Sequence, residues 1–169
     1  MRLRYAVLAV VCSLALAAAA QAQTSYVGVL TGGTEVPPVV TPATGNCTVV
    51  LNVAQTALSV SIQFQNLQGA YTASHIHGPA PAGTNAGVKW GFVGVAAGWV
   101  FDGTLQSGTL TNFAIAGVTA TDVTNLNAGN FYVNIHSTLY PGGELRAQLG
   151  SAPVPTEKQT WSRVKAPYR

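Results

Sequence analysis

Charge is the scarcest property of this sequence: Asp, Glu, Lys and Arg make up 8% of its 169 residues. Between 23 and 150 the charged residues are Glu35, Lys89, Asp102, Asp122, Glu144 and Arg146. So little Lys and Arg provides no phosphate-neutralising surface, which argues against nucleic acid as a partner. Cysteine is nearly absent as well, with two in the chain. Cys12 falls in the first apolar run, so Cys47 has no intrachain partner and the fold must rest on apolar burial. Cys47 opens the run Thr48-Val49-Val50-Leu51 and reads as a small buried hydrophobe.

Long apolar runs are lacking after the first, which spans 5–20 behind Arg2 and Arg4 and is followed by the small-residue pattern Ala20-Gln21-Ala22. It is shorter than the roughly 20 residues of a membrane span. This predicts a signal peptide over 1–22, cut between Ala22 and Gln23, and no membrane insertion afterwards. The protein is expected to be secreted, periplasmic or extracellular. Residues 23–150 are read as one domain. After Gly150 the periodicity stops, and 151–169 read as a basic disordered tail.

What is present is strand chemistry. Short segments rich in Val, Ile, Thr, Tyr and Phe recur at 26–31, 48–54, 57–65, 71–77, 88–95, 108–116, 130–137 and 144–149, separated by Gly- and Pro-containing turns. Alternation is clean in Val60-Ser61-Ile62-Gln63-Phe64-Gln65, so one face packs and the other meets water. The expected fold is all-β, an antiparallel β-sandwich or barrel of about 7–9 strands. One helical turn or two is expected over 121–129, capped by Thr121 or Asp122 and stopped by Gly129. Trp90, Phe92, Trp99 and Phe101 read as core packing.

The chain has three histidines, and all lie in two strand-like segments. In Ser74-His75-Ile76-His77-Gly78 the pleat puts His75 and His77 on one face and Ile76 on the other. In Tyr132-Val133-Asn134-Ile135-His136-Ser137, His136 shares the polar side with Asn134 and Tyr132. Three neutral imidazoles suit Zn, Cu, Ni or Fe(II), with copper bound most tightly of the divalent ions, and three protein ligands leave a position open. Glu35, Tyr140 and Glu144 are the candidates for a fourth. Direct pairing across Pro141-Gly142-Gly143 would set His136 against Glu144, Asn134 against Arg146 and Tyr132 against Gln148. Glu144 would then steady His136. The competing reading is that each histidine only hydrogen-bonds a neighbouring loop.

Other chemistries find little support. Ser74 and Ser137 adjoin histidines in strands and so point to the opposite face. The glycine-rich stretch 78–87 lacks the lysine and following helix of a phosphate loop. Glu35 and Glu144 form a glycosidase pair only if the fold brings them together. Asn46-Cys47-Thr48 matches the glycosylation sequon.

Three landmarks occur in order: Thr31-Gly32-Gly33-Thr34-Glu35-Val36-Pro37-Pro38, then Ala73-Ser74-His75-Ile76-His77-Gly78-Pro79-Ala80. The third is Phe131-Tyr132-Val133-Asn134-Ile135-His136-Ser137, with Tyr140-Pro141-Gly142-Gly143-Glu144-Leu145-Arg146-Ala147-Gln148-Leu149. Together they resemble the CHRD domain, named from chordin and common as a single secreted domain in bacteria. The resemblance spans 25–150. It implies a secreted or cell-surface immunoglobulin-like β-sandwich and no particular activity for single-domain members. A His-x-His strand is also similar to the copper site of Cu,Zn superoxide dismutase, but that enzyme's further histidines, zinc aspartate and disulfide are lacking here. The leading expectation is a non-enzymatic exported protein with a metal site on His75, His77 and His136, copper or zinc, and Glu144 nearby. The alternatives are an extracellular protein- or glycan-binding module with structural histidines, and a metal-dependent oxidoreductase.

Overall fold

A computed structural model describes residues 23–152; the expected signal peptide and the tail beyond 152 lie outside the described residues. The fold is all-β and antiparallel, as expected. Its strands are β1 (Thr24–Thr31), β2 (Thr44–Leu51), β3 (Ala57–Gln65), β4 (Tyr71–His77), β5 (Val88–Gly91), β6 (Val100–Phe101), β7 (Gly108–Ala116), β8 (Tyr132–Ser137), β9 (Leu145–Gln148) and β10 (Gly150–Ser151). They form one hydrogen-bonded sheet in the order β5-β4-β8-β9-β1-β2-β3-β7-β6, with β10 paired to β1. The pairing reaches Ser151, and Ala152 N–H donates to Ser25 O at 2.8 Å.

The sheet curls into a half-barrel around a single core. Phe64 on β3 stacks on Tyr71 of β4 at 5.8 Å between centroids, although four strands separate β3 from β4 in the sheet order. Tyr71 likewise meets Phe101 of β6, at the far edge, at 4.8 Å. Phe64, Tyr71, Phe92 and Trp99 fill the interior, and the half-buried Phe101 packs against them. Cys47 is buried in the same core and its thiol is pushed up to about 12 by that burial, the inert behaviour of a core residue.

Two local expectations are corrected. The segment 88–95 stops being strand at Gly91 because Gly94 (φ +65°) and Gly98 (φ +89°) bracket a short 3-10 turn before β6. Helix α1 (Ala120–Asn127) is capped by Thr119 and not by Thr121 or Asp122. Thr119 Oγ1 accepts from Asp122 N–H at 3.2 Å while the Asp122 carboxylate accepts from Thr119 N–H at 3.1 Å, a reciprocal capping box.

A third correction bears on function. Alternation between packed and wet faces holds in β3 but fails in β8, where all six residues are buried. Two connecting segments roof the polar side of β4, β8 and β9. The first, 32–41, sends Glu35 down to accept from Asn134 Nδ2 and Thr41 to donate to Glu144 at 2.6 Å. The second, 78–87, is fastened by Arg146, which donates to Thr84 O at 2.7 Å and Asn85 Oδ1 at 2.9 Å. Gln148 Nε2 donates to Ala80 O at 3.0 Å in the same way. The result is a polar layer enclosed on both sides.

Candidate metal centre

Register arranges that layer as a lattice. His77 pairs with Tyr132 and Tyr132 with Gln148; His75 pairs with Asn134 and Asn134 with Arg146; Ala73 pairs with His136. Partners in register share a face, so His75, His77 and His136 occupy three adjoining positions on β4 and β8. Ala73 leaves room beside His136. One ring nitrogen from each histidine lies within 4.8 Å of those of the other two. Nitrogens on one ion at about 2 Å each lie within roughly 4 Å of one another, so small ring rotations close the set.

The imidazoles are oriented by backbone carbonyls. His77 Nδ1 lies 3.0 Å from Ala86 O, and His136 Nδ1 lies 3.0 Å from Pro141 O. A carbonyl can only accept, so both Nδ1 atoms carry the hydrogen and both Nε2 atoms keep a lone pair. His136 Nε2 takes its bond from His75 Nδ1 at 3.1 Å. His77 Nε2 is buried and has no hydrogen-bond partner among the described residues. A tautomer change at His75, moving its hydrogen to Nε2, would free a third lone pair without charging any ring.

Electrostatics keep all three neutral. His75 is pushed down to about 4, first by burial and then by the neighbouring His136 and His77. His77 is lowered by burial, with Ala86 O pulling the other way and the Arg146 guanidinium lowering it further. His136 is lowered by burial, against Pro141 O and with help from His77. Tyr132 links this set to Arg146: His77 stacks on its ring at 5.0 Å, and the guanidinium carbon sits 3.5 Å from its centroid. Neutral imidazoles with fixed lone pairs are what a borderline divalent ion requires.

With this geometry in hand, a family model for the CHRD domain matches residues 26–149. The chain belongs to the CHRD domain family. No curated protein and no solved structure matches it. In this CHRD domain the second and third landmark motifs supply β4 and the β8–β9 hairpin, so they carry the histidines; the first supplies the 32–38 part of the roof.

Of the expected fourth ligands, none joins the cluster. Glu144 follows His136 across the hairpin as the register reading required, with its N–H on Ile135 O at 2.8 Å, but its carboxylate turns away. Oε1 accepts from Thr41 Oγ1 at 2.6 Å and Gln68 N–H at 2.8 Å, and Oε2 from Ser137 Oγ at 2.5 Å. Glu144 therefore clamps three segments instead of steadying His136, and Pro141 O does the steadying. Glu35 is spent on Asn134, and Tyr140 donates to Gln68 Oε1 at 2.7 Å. Ser74 and Ser137 bond Phe92 O and Glu144, away from the rings. The pairings Asn134–Arg146 and Tyr132–Gln148 are as expected. His77 and His136 do hydrogen-bond the neighbouring loops 78–87 and 138–143, as the competing reading expects, but the contribution of Ala86 and Pro141 is a backbone carbonyl, so neither residue carries a residue-type signal. Tyr132 was placed on the right face, but its stacking on His77 depends on β4 pairing with β8, a contact across more than fifty residues.

Proposed function

We propose that this CHRD domain is exported and holds one divalent transition-metal ion on His75, His77 and His136, copper in preference to zinc, as a binding rather than a turnover protein. One observation carries the reading: His77, one of three imidazoles with a ring nitrogen each within 4.8 Å of one another, keeps a buried Nε2 whose lone pair is unspent. An unsatisfied buried acceptor costs on the order of 1–3 kcal/mol. Histidines that only fastened loops would not need to gather a ring nitrogen each within 4.8 Å of one another. The open position left by three ligands allows exchange of the ion or of a small ligand on it. Export rests on the leader pattern of Arg2, Arg4 and the run 5–20.

The test is calorimetric titration of untagged protein with Cu(II) and Zn(II). One ion per chain is expected, with copper tighter, and a variant carrying His75→Ala, His77→Ala and His136→Ala should take up neither. Unchanged uptake in that variant, or none in the parent, removes the proposal. For export, N-terminal sequencing of protein recovered outside the cytoplasm should begin at Gln23.

A further inference from the structure

Most of the domain's charges are placed inside it; Asp102 is exposed and Lys89 partly so. Glu35, Asp122, Glu144 and Arg146 are each less than 9% exposed, and the Lys89 ammonium is drawn to Asp122 at 2.8 Å. Burying most of the charge and leaving the surface largely neutral inverts the usual distribution. The inversion is complete over β1, β2, β3 and β7, which contain no Asp, Glu, Lys or Arg on either face.

Their outward side chains form rows. Val29, Asn46, Gln63, Thr109 and Val100 are consecutive register partners across five strands, a line of roughly 19 Å at the usual strand spacing. Thr31, Thr44 and Gln65 form the next row. Val29 and Val100 are more than 70% exposed at the two ends of the first row. Two clefts, of about 240 and 280 Å³, open side by side on this face and share Gln63 and Gln65. Asn46 lines the first, and the half-buried Phe101 and the exposed Asp102, the one charged residue here, line the second. The amides of Asn46, Gln63 and Gln65, like the hydroxyls of Thr44 and Thr109, bond no other residue among the described residues, whereas Ser59 and Ser61 engage Asn112.

We propose that this face binds a neutral polysaccharide. Free amides offer a donor and an acceptor each, matching the hydroxyl pairs of sugar rings, and Val29, Val100 and Phe101 match their C–H faces. Anionic polymers need cations that are not there. A protein partner, including a second copy of the chain, would be expected to find Trp, Tyr or Arg anchors, and the outward positions of these strands hold none. The face shares no residue with the histidine cluster, although its second row continues in register from Thr31 through Arg146 and Asn134 to His75, and the inference stands independently of metal binding.

The experiment mixes the full chain, expressed with residues 1–22 in place and purified without a tag, with microcrystalline cellulose, chitin or granular starch, and with alginate beads as the anionic comparison. The unbound fraction gives the affinity. Retention on at least one neutral polymer is expected, unaffected by the triple histidine variant. It should fall about tenfold or more in a variant carrying Asn46→Ala, Gln63→Ala and Gln65→Ala. It should fall equally in Gln63→Glu with Gln65→Glu, which keeps shape and folding but adds charge to be desolvated. No retention on any of the three, retention on alginate alone, or equal retention by both variants overturns the proposal. So does a dimer in sedimentation that these variants dissociate while no polymer is held, which would assign the face to a second copy.

Discussion

Glu35 and the three histidines titrate in opposite senses within one buried layer. Burial pushes the Glu35 carboxyl up to about 7, against the Asn134 hydrogen bond and the Arg146 charge, which pull it down. The native state therefore holds a proton that the unfolded chain, at the ordinary value of 4.5, has lost. Glu35 contributes stability that is complete below about 4.5 and is lost as pH rises through about 7. The histidines run the other way: their stability is present above the ordinary 6.5 and is lost as pH falls, for His75 through about 4. Glu35→Gln keeps an acceptor for Asn134 Nδ2 and removes the ionisation. Urea denaturation of metal-free protein should show the variant stabilised by on the order of 1–3 kcal/mol at pH 8, with the advantage vanishing at pH 4.5. An equal effect at both pH values would mean that Glu35 is not titrating in this window. Replacing the three histidines by Gln should flatten the acid limb between 6.5 and 4.

At the scale of elements, the hairpin β8–β9 is held shut by Glu144, whose carboxylate joins Thr41, Gln68 and Ser137. Glu144→Gln leaves an amide NH₂ where an acceptor stood, and should cost about 1–3 kcal/mol in denaturant unfolding. Metal stoichiometry should stay at one, because the carboxylate does not reach the histidines; loss of the ion would make Glu144 a ligand after all. The turn of the same hairpin gives a second contrast. A Cβ on Gly143, at φ +128°, would lie 2.6 Å from Glu35 Oε1 and 2.7 Å from the Asn134 amide, whereas Gly142 faces open space. Gly143→Ala should therefore cost more than about 2 kcal/mol and Gly142→Ala within about 0.5, read from thermal unfolding. Strands such as β3, β4 and β7 were legible because alternation and turn residues are local signals, and their bounds agree with 57–65, 71–77 and 108–116. The end of β5 and the cap of α1 were not, because glycine conformation and a capping partner outside the apolar pattern decided them.

For the molecule as a whole, the sequence allowed the three histidines to be assigned to polar strand faces, but not the enclosure of those faces. The roof depends on bonds such as Arg146 to Thr84 and Glu35 to Asn134, between residues 62 and 99 positions apart, which leave no periodicity to read. The same distance explains why the sequence offers Glu35 and Glu144 as candidate ligands and sets Arg146 on a polar strand face without showing that all three are interior. This enclosure couples the cluster to two surface loops, since Ala86 O in 78–87 and Pro141 O in 138–143 hold the rings that would hold the ion. An ion bound only by the folded chain stabilises it by about 2.7 kcal/mol when its free concentration is a hundred times Kd. For a domain of this size, that is a rise in Tm of roughly 10 °C with Zn(II). Hydrogen exchange should slow in 78–87 and 138–143 while β2 and β3, across the core, are unchanged. In the triple histidine variant both effects should vanish, and a shift in Tm that survives there would place the ion elsewhere on the molecule.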